Sequence, residues 1–185
     1  MNVALRRALT VPEYLARVDT QAEGQRTELI NGRVVAMSPE RADHNRTKAR
    51  VYSTLAAAVR SAGLACEVFT DGMTVPIDLH TAYEPDAVIH CGEPIPPNQM
   101  TVPAPIVVVE VLSPSTAHTD TSAKLVGYFK VPSVHHYLVV DPDARTVVHH
   151  ARSPDGAIEA RTFATGRLSL DTPAMEFEVA DLFRS

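Results

Sequence analysis

The sequence predicts an α/β (α+β) protein: a mixed central β-sheet flanked by helices, preceded by an N-terminal helix and a β-hairpin. Three observations carry this. The predicted elements run strand, strand, helix, strand, an order that layers helices on a sheet. Two apolar runs, Ile106–Leu112 and His136–Val140, read as central strands buried on both faces. Between the early and late strands, Val51, Leu55, Ala58, Val59 and Ala62 form a stripe at helical spacing.

The elements follow in chain order. Thr10 can cap a first helix, Pro12 suits its first turn and Glu13 completes a capping box, so a helix is expected to about Asp19. Asn31–Gly32 fits a type I′ turn, which makes residues 28–37 a hairpin. A long helix is expected from Asp43 to Ala62, ended by Gly63. Arg41, Arg46, Lys48 and Arg50 crowd its start, against the helix dipole. That conflict reads either as a helix start facing an anion or as a solvated face. Strands are expected at Cys66–Thr70, Met73–Ile77 and Pro85–His90, followed by a Pro-rich loop to Pro105. A short helix, Thr119–Lys130, links the two apolar strands, and short strands from Thr146 complete the chain to Phe183.

The length of 185 residues suits one domain, with residues 1–25 as lead-in and 26–185 as core. No apolar run approaches the roughly 20 residues of a membrane helix, and Met1–Thr10 does not read as a signal peptide. Two cysteines, Cys66 and Cys91, make no disulfide framework and fit a reducing, cytoplasmic setting. Net charge is −5, but residues 1–60 carry a balance of +4 and the remainder −9. A basic front could meet phosphates while a later acidic cluster holds metal; the asymmetry is equally compatible with ordinary surface composition. Only three of the 17 basic residues are lysines, Lys48, Lys124 and Lys130, which draws attention to Lys124.

Glu110 stands inside a Val/Ile/Leu run, where an unpaired carboxylate is costly. Asp86 has a similar setting beside Ala87–Val88–Ile89. Two acids converging from neighbouring strands offer hard oxygen ligands for Mg²⁺ or Mn²⁺. Asp120, Lys124 and Tyr128 share one helical face, and that helix can fold back to bring Lys124 to the acids. Two acids, a metal and a lysine form a phosphodiester-cleaving site. The competing reading is a plain Glu110–Lys124 ion pair, with Asp86 capping a turn.

Four segments carry a family resemblance: Pro85–Asp86–Ala–Val–Ile; Val109–Glu110–Val–Leu–Ser113–Pro–Ser–Thr116; Asp120–Thr–Ser–Ala–Lys124–Leu–Val–Gly–Tyr128; and His136–Tyr–Leu–Val–Val–Asp141–Pro142. With Glu28–Leu–Ile–Asn–Gly32 and His44, they resemble the Uma-type restriction-endonuclease family of the PD-(D/E)XK nuclease superfamily. The resemblance spans roughly residues 27–183. It implies a restriction-endonuclease-like fold and Mg²⁺-dependent DNA endonuclease activity. On it, Asp86 and Glu110 match the metal-binding acids and Lys124 the catalytic lysine. Glu28 matches an upstream acid, and Asp120 and Tyr128 match supporting positions. The slot two residues after the second acid holds Leu112, so the lysine is supplied from the helix.

His44 is the best placed of the eight histidines for a phosphate contact; the others show no zinc-site spacing. No Gly-rich phosphate loop is present, which argues against a nucleotide cofactor. The expected partners are DNA and a second copy of the chain, since a homodimer cuts two strands with two sites. Two alternatives stand beside the enzyme: an inactive nuclease fold that binds nucleic acid, and a protein-interaction module.

Overall fold

The computed structural model describes residues 7–20, 26–113 and 121–184. Asp120, expected to support the site, lies outside the described residues. The first helix, α1, spans Val11–Thr20. The Glu13 carboxylate accepts from the Thr10 N–H and hydroxyl at 2.9 Å each, which is the capping box read from the sequence. Strands β1 (Thr27–Ile30) and β2 (Arg33–Ala36) form the hairpin, with Asn31 at φ 50° and Gly32 at φ 76° in its turn. Both central residues take positive φ, as a type I′ turn requires. Beyond them, β5 (Thr81–Tyr83) and β4 (Val75–Asp78) complete a four-stranded sheet in the order β2-β1-β5-β4. β5 was not anticipated, and β4 starts two residues later than expected. Three residues without a regular apolar alternation carry too little pattern to read.

The main sheet has six strands in the order β10-β9-β8-β7-β6-β3. Its members are β3 (Cys66–Thr70), β6 (Ala87–Cys91), β7 (Pro105–Val111), β8 (His136–Asp141), β9 (Thr146–Arg152) and β10 (Ile158–Phe163). Within this sheet, among the described residues, only β7 and β8 run parallel. A parallel pair needs a crossover, and α3 (Thr121–Tyr128) lies in that connection. A last hairpin, β11 (Arg167–Asp171) and β12 (Ala174–Glu178), leads into a 3₁₀ turn at Val179–Leu182.

Side chains alternate between the faces of a strand, and the two cores divide accordingly. Val107, Val109 and Val111 of β7 join Ala87 and Ile89 of β6 beneath α2 (Ala42–Ser61) and the β11–β12 hairpin. Val88 and Val108 join the opposite core, with Tyr83, Tyr128 and Tyr137. Glu110 shares the parity of Val108 and therefore faces α3. Among the described residues, no helix is long and apolar enough to cross a membrane.

Two local outcomes differ from or refine the sequence reading. Cys66 and Cys91, read from the sequence as fitting a reducing setting, are instead joined in a disulfide, because the β3–β6 register sets them directly opposite. Their separation of 25 residues gave no hint of that pairing. Of the histidines, His136 and His149 are buried on neighbouring strands, with His136 Nδ1 2.9 Å from His149 Nε2. Burial, with help from His136, His150 and Arg161, pushes the His149 pKa down from 6.5 to about 4. The folded protein keeps this ring neutral while the unfolded chain protonates it below about pH 6.5. Its stabilising contribution is therefore full above pH 6.5 and is lost as pH falls towards 4. Thermal unfolding midpoints measured between pH 7 and 4 should drop more steeply for wild type than for His149→Gln. Parallel curves would contradict this account.

Candidate active site

The register that pairs Ala87 with Val109 places Asp86 and Glu110 side by side at one end of the β6–β7 ladder. The Val111 N–H donates to Asp86 Oδ2 at 2.7 Å, which ties the loop ahead of β6 to the end of β7. Both carboxylates line a cavity of about 300 Å³ together with Glu28, Glu40, His44 and Lys124. Six of the seven residues expected at the site are described, and all six meet here: Tyr128 stands behind Glu110, and the other five line the cavity.

Lys124 projects from α3 with its Nζ 2.9 Å from Glu110 Oε1 and 3.0 Å from Glu28 Oε1. Tyr128, one turn later, donates its hydroxyl to the same Glu110 oxygen at 2.7 Å. Residues four apart share a helical face, so α3 delivers both donors to one carboxylate. Glu28 sits on β1, where its Oε1 also accepts from the Glu84 N–H at 3.0 Å. Burial raises the Glu110 pKa to about 7; Lys124 and the Tyr128 hydroxyl oppose the shift, while Asp86 and Glu28 add to it. Burial works against the charge on Lys124, but Glu110 and Glu28 outweigh it, and the pKa moves well up. The Lys124 side chain is thus a fixed cation.

Close approach of α3 depends on Gly127. A Cβ built there would lie 2.6 Å from Cε2 of Tyr83, a contact side chains do not tolerate. The Tyr83 ring packs edge-on to Tyr128, with centroids 5.3 Å apart, and lies 5.7 Å from Lys124 Nζ.

A second charge network was not foreseen. Lys48 of α2 bonds to Glu40, Asp71 and Asp86. Arg26 joins Glu40, Asp71 and Glu84, each at 2.6 Å. Burial raises the Glu40 pKa, but hydrogen bonds and charge from Lys48 and Arg26 prevail and bring it to about 2. The crowd of cations at the start of α2 is therefore not all solvated: Lys48 turns inward onto carboxylates. His44, expected to reach a phosphate, places Nε2 2.9 Å from the Val111 carbonyl, to which it donates. One signal for Lys48 was available. His44, Lys48, Val51, Leu55 and Ala58 continue a single helical stripe, so Lys48 had to face inward.

Among the described residues, six carboxylates (Glu28, Glu40, Asp71, Glu84, Asp86 and Glu110) share Lys48, Lys124 and Arg26. That excess of negative charge in a partly buried, all-oxygen setting suits a hard divalent cation.

The chain has relatives in both sequence and fold. The Uma2 family, described as "Putative restriction endonuclease", matches residues 11–181. Uncharacterized protein sll1609 of Synechocystis sp. (strain ATCC 27184 / PCC 6803 / Kazusa) is 29% identical over 158 residues, covering 84% of this chain and 87% of that protein. Uncharacterized protein slr1290 of the same organism is 28% identical over 178 residues, covering 95% and 92%. In fold, the chain resembles the crystal structure of a "putative nuclease belonging to DUF820" from Anabaena variabilis ATCC 29413. The TM-score is 0.75 and the sequence identity 18%, and the match covers 95% of this chain and 97% of the other.

Proposed function

The chain belongs to the Uma2 family, and from that premise we propose that it is a metal-dependent endonuclease that hydrolyses phosphodiester bonds in DNA. The observation that carries the proposal is the junction of Asp86, just ahead of β6, with Glu110 of the neighbouring β7, and Lys124 2.9 Å from Glu110 at the edge of an open cavity. Asp86 and Glu110 would hold the cation, Mg²⁺ or Mn²⁺. When bound, that ion supplies positive charge to the phosphate and acidifies a water.

The chain's own groups have separate tasks. Lys124 orients the attacking water or offsets charge developing on the phosphate. Glu28 shares the Lys124 ammonium with Glu110 and holds it between the two. Tyr128 fixes the Glu110 carboxylate, which would help hold the cation, by donating to Oε1. His44 keeps the end of β7 in place through the Val111 carbonyl. Two copies of the chain in a homodimer would present one site to each strand.

A gel assay on labelled duplex DNA tests the proposal. Breaks that require Mg²⁺ or Mn²⁺, stop with EDTA and fall by at least about 10³-fold in Asp86→Asn are expected. Binding of the duplex without breakage in either metal would contradict it.

A further inference from the structure

Asp86 lies ahead of β6, outside the strand's own ladder, so its side chain is fixed by neighbouring elements. The Val111 N–H of β7 holds Oδ2, and Lys48 Nζ of α2 meets Oδ1 at 2.9 Å. Lys48 is a buried residue, with 2% of its side chain exposed, and it stands behind Asp86, apart from the residues that line the cavity. Its other two partners are Glu40, just ahead of α2, and Asp71, just after β3. An ammonium has three N–H donors, and here three carboxylates take them. Arg26 Nη1 meets the same oxygens of Glu40 and Asp71 that Lys48 meets, so both carboxylates have a second anchor. Rotating Asp86 away would strand a buried N–H on Lys48, which is costly.

One carboxylate oxygen from each of Glu40, Asp71 and Asp86 lies within 4.8 Å of the other two. Such a group could attract a cation, but the Lys48 ammonium already supplies the positive charge at that point. The two acids assigned to the metal are thus each held by one lysine, and the two lysines come from different helices: Lys48 of α2 for Asp86, Lys124 of α3 for Glu110.

We infer that Lys48 is a positioning residue for Asp86: its ammonium, satisfied by Glu40, Asp71 and Asp86, fixes the Asp86 carboxylate in the orientation that receives the divalent cation. This rests on the nuclease reading above. Groups that orient metal ligands typically contribute 10- to 100-fold to metal affinity.

Calorimetric titration of Mn²⁺ into the full chain, without DNA, tests the inference apart from cleavage. Removing Lys48 alone leaves buried negative charge and risks unfolding. Lys48→Met is therefore combined with Asp71→Asn, which keeps the charge balance, and is compared with Asp71→Asn alone; circular dichroism checks that both are folded. The double variant should bind Mn²⁺ roughly 10- to 100-fold more weakly than Asp71→Asn. Lys48→Arg in the same background should bind more tightly than Lys48→Met. Equal binding by the Met and Arg variants, or by the double and single variants, would overturn the role of Lys48. Tighter binding, or a second Mn²⁺ per chain, would also overturn it, and would make Lys48 the occupant of a cation position. If wild type binds no Mn²⁺, the nuclease reading itself fails, and the role of Lys48 with it.

Discussion

Lys124→Met is expected to abolish metal-dependent cleavage and to lower the unfolding free energy by about 3–5 kcal/mol. Both effects come from one atom. Lys124 Nζ is the cation shared by Glu110 and Glu28, whose side chains are 13% and 7% exposed. Removing it leaves two carboxylates close together in a poorly solvated place, and such breakage costs far more than the intact pair contributes. Glu110 would respond by taking up a proton more readily, since burial already holds its pKa near 7. The loss of stability should therefore be larger at pH 8, where Glu110 in the variant is still asked to ionise, than at pH 6. Lys124→Met combined with Glu110→Gln should recover part of the lost stability while remaining inactive, because the two residues interact directly and their effects are not additive. Urea unfolding of the two single variants and the double, at both pH values, measures this. Additive losses would mean that the contact contributes nothing.

Gly127→Ala carries the second large effect, and its sign is diagnostic. In an ordinary helix interior, alanine in place of glycine is stabilising by about 0.5–1 kcal/mol. Here the new Cβ would meet the Tyr83 ring at 2.6 Å, so α3 must shift outward. Overpacking of this kind costs about 1–3 kcal/mol. Lys124 lies one turn earlier on the same helix, and a displacement of about 1 Å at a catalytic group can cost 10²-fold in rate. Gly127→Ala should therefore lower both the unfolding midpoint and the cleavage rate, and Tyr83→Leu in the same chain should restore part of each by vacating the contact. A stabilised and fully active Gly127→Ala would show that α3 does not depend on this close approach.

Much of the fold was legible in the sequence because its signals are local. The Asn31–Gly32 turn, the α2 stripe and the two doubly buried strands each announce themselves within a few residues. The convergence of Asp86, Glu110 and Lys124 was readable because a carboxylate in the Val/Ile run of β7 demands a partner. What escaped depends on register and tertiary contact. The opposition of Cys66 and Cys91, the short β5 and the approach of Gly127 to Tyr83 are each fixed by segments distant in sequence. Lys48 falls between these cases. Its inward direction follows from the α2 stripe, but its partners, Glu40, Asp71 and Asp86, come from three separate parts of the chain.

The central claim is that Asp86, Glu110 and Lys124 form one metal-dependent site that breaks DNA. Incubation of supercoiled plasmid with the purified protein and Mn²⁺ or Mg²⁺, beside Asp86→Ala, Glu110→Ala and Lys124→Ala and with EDTA as control, tests it most directly. Nicking by wild type that needs the metal and disappears in all three variants is the result expected. Plasmid left intact by wild type in both metals, or nicking that survives in any of the three variants, would contradict it.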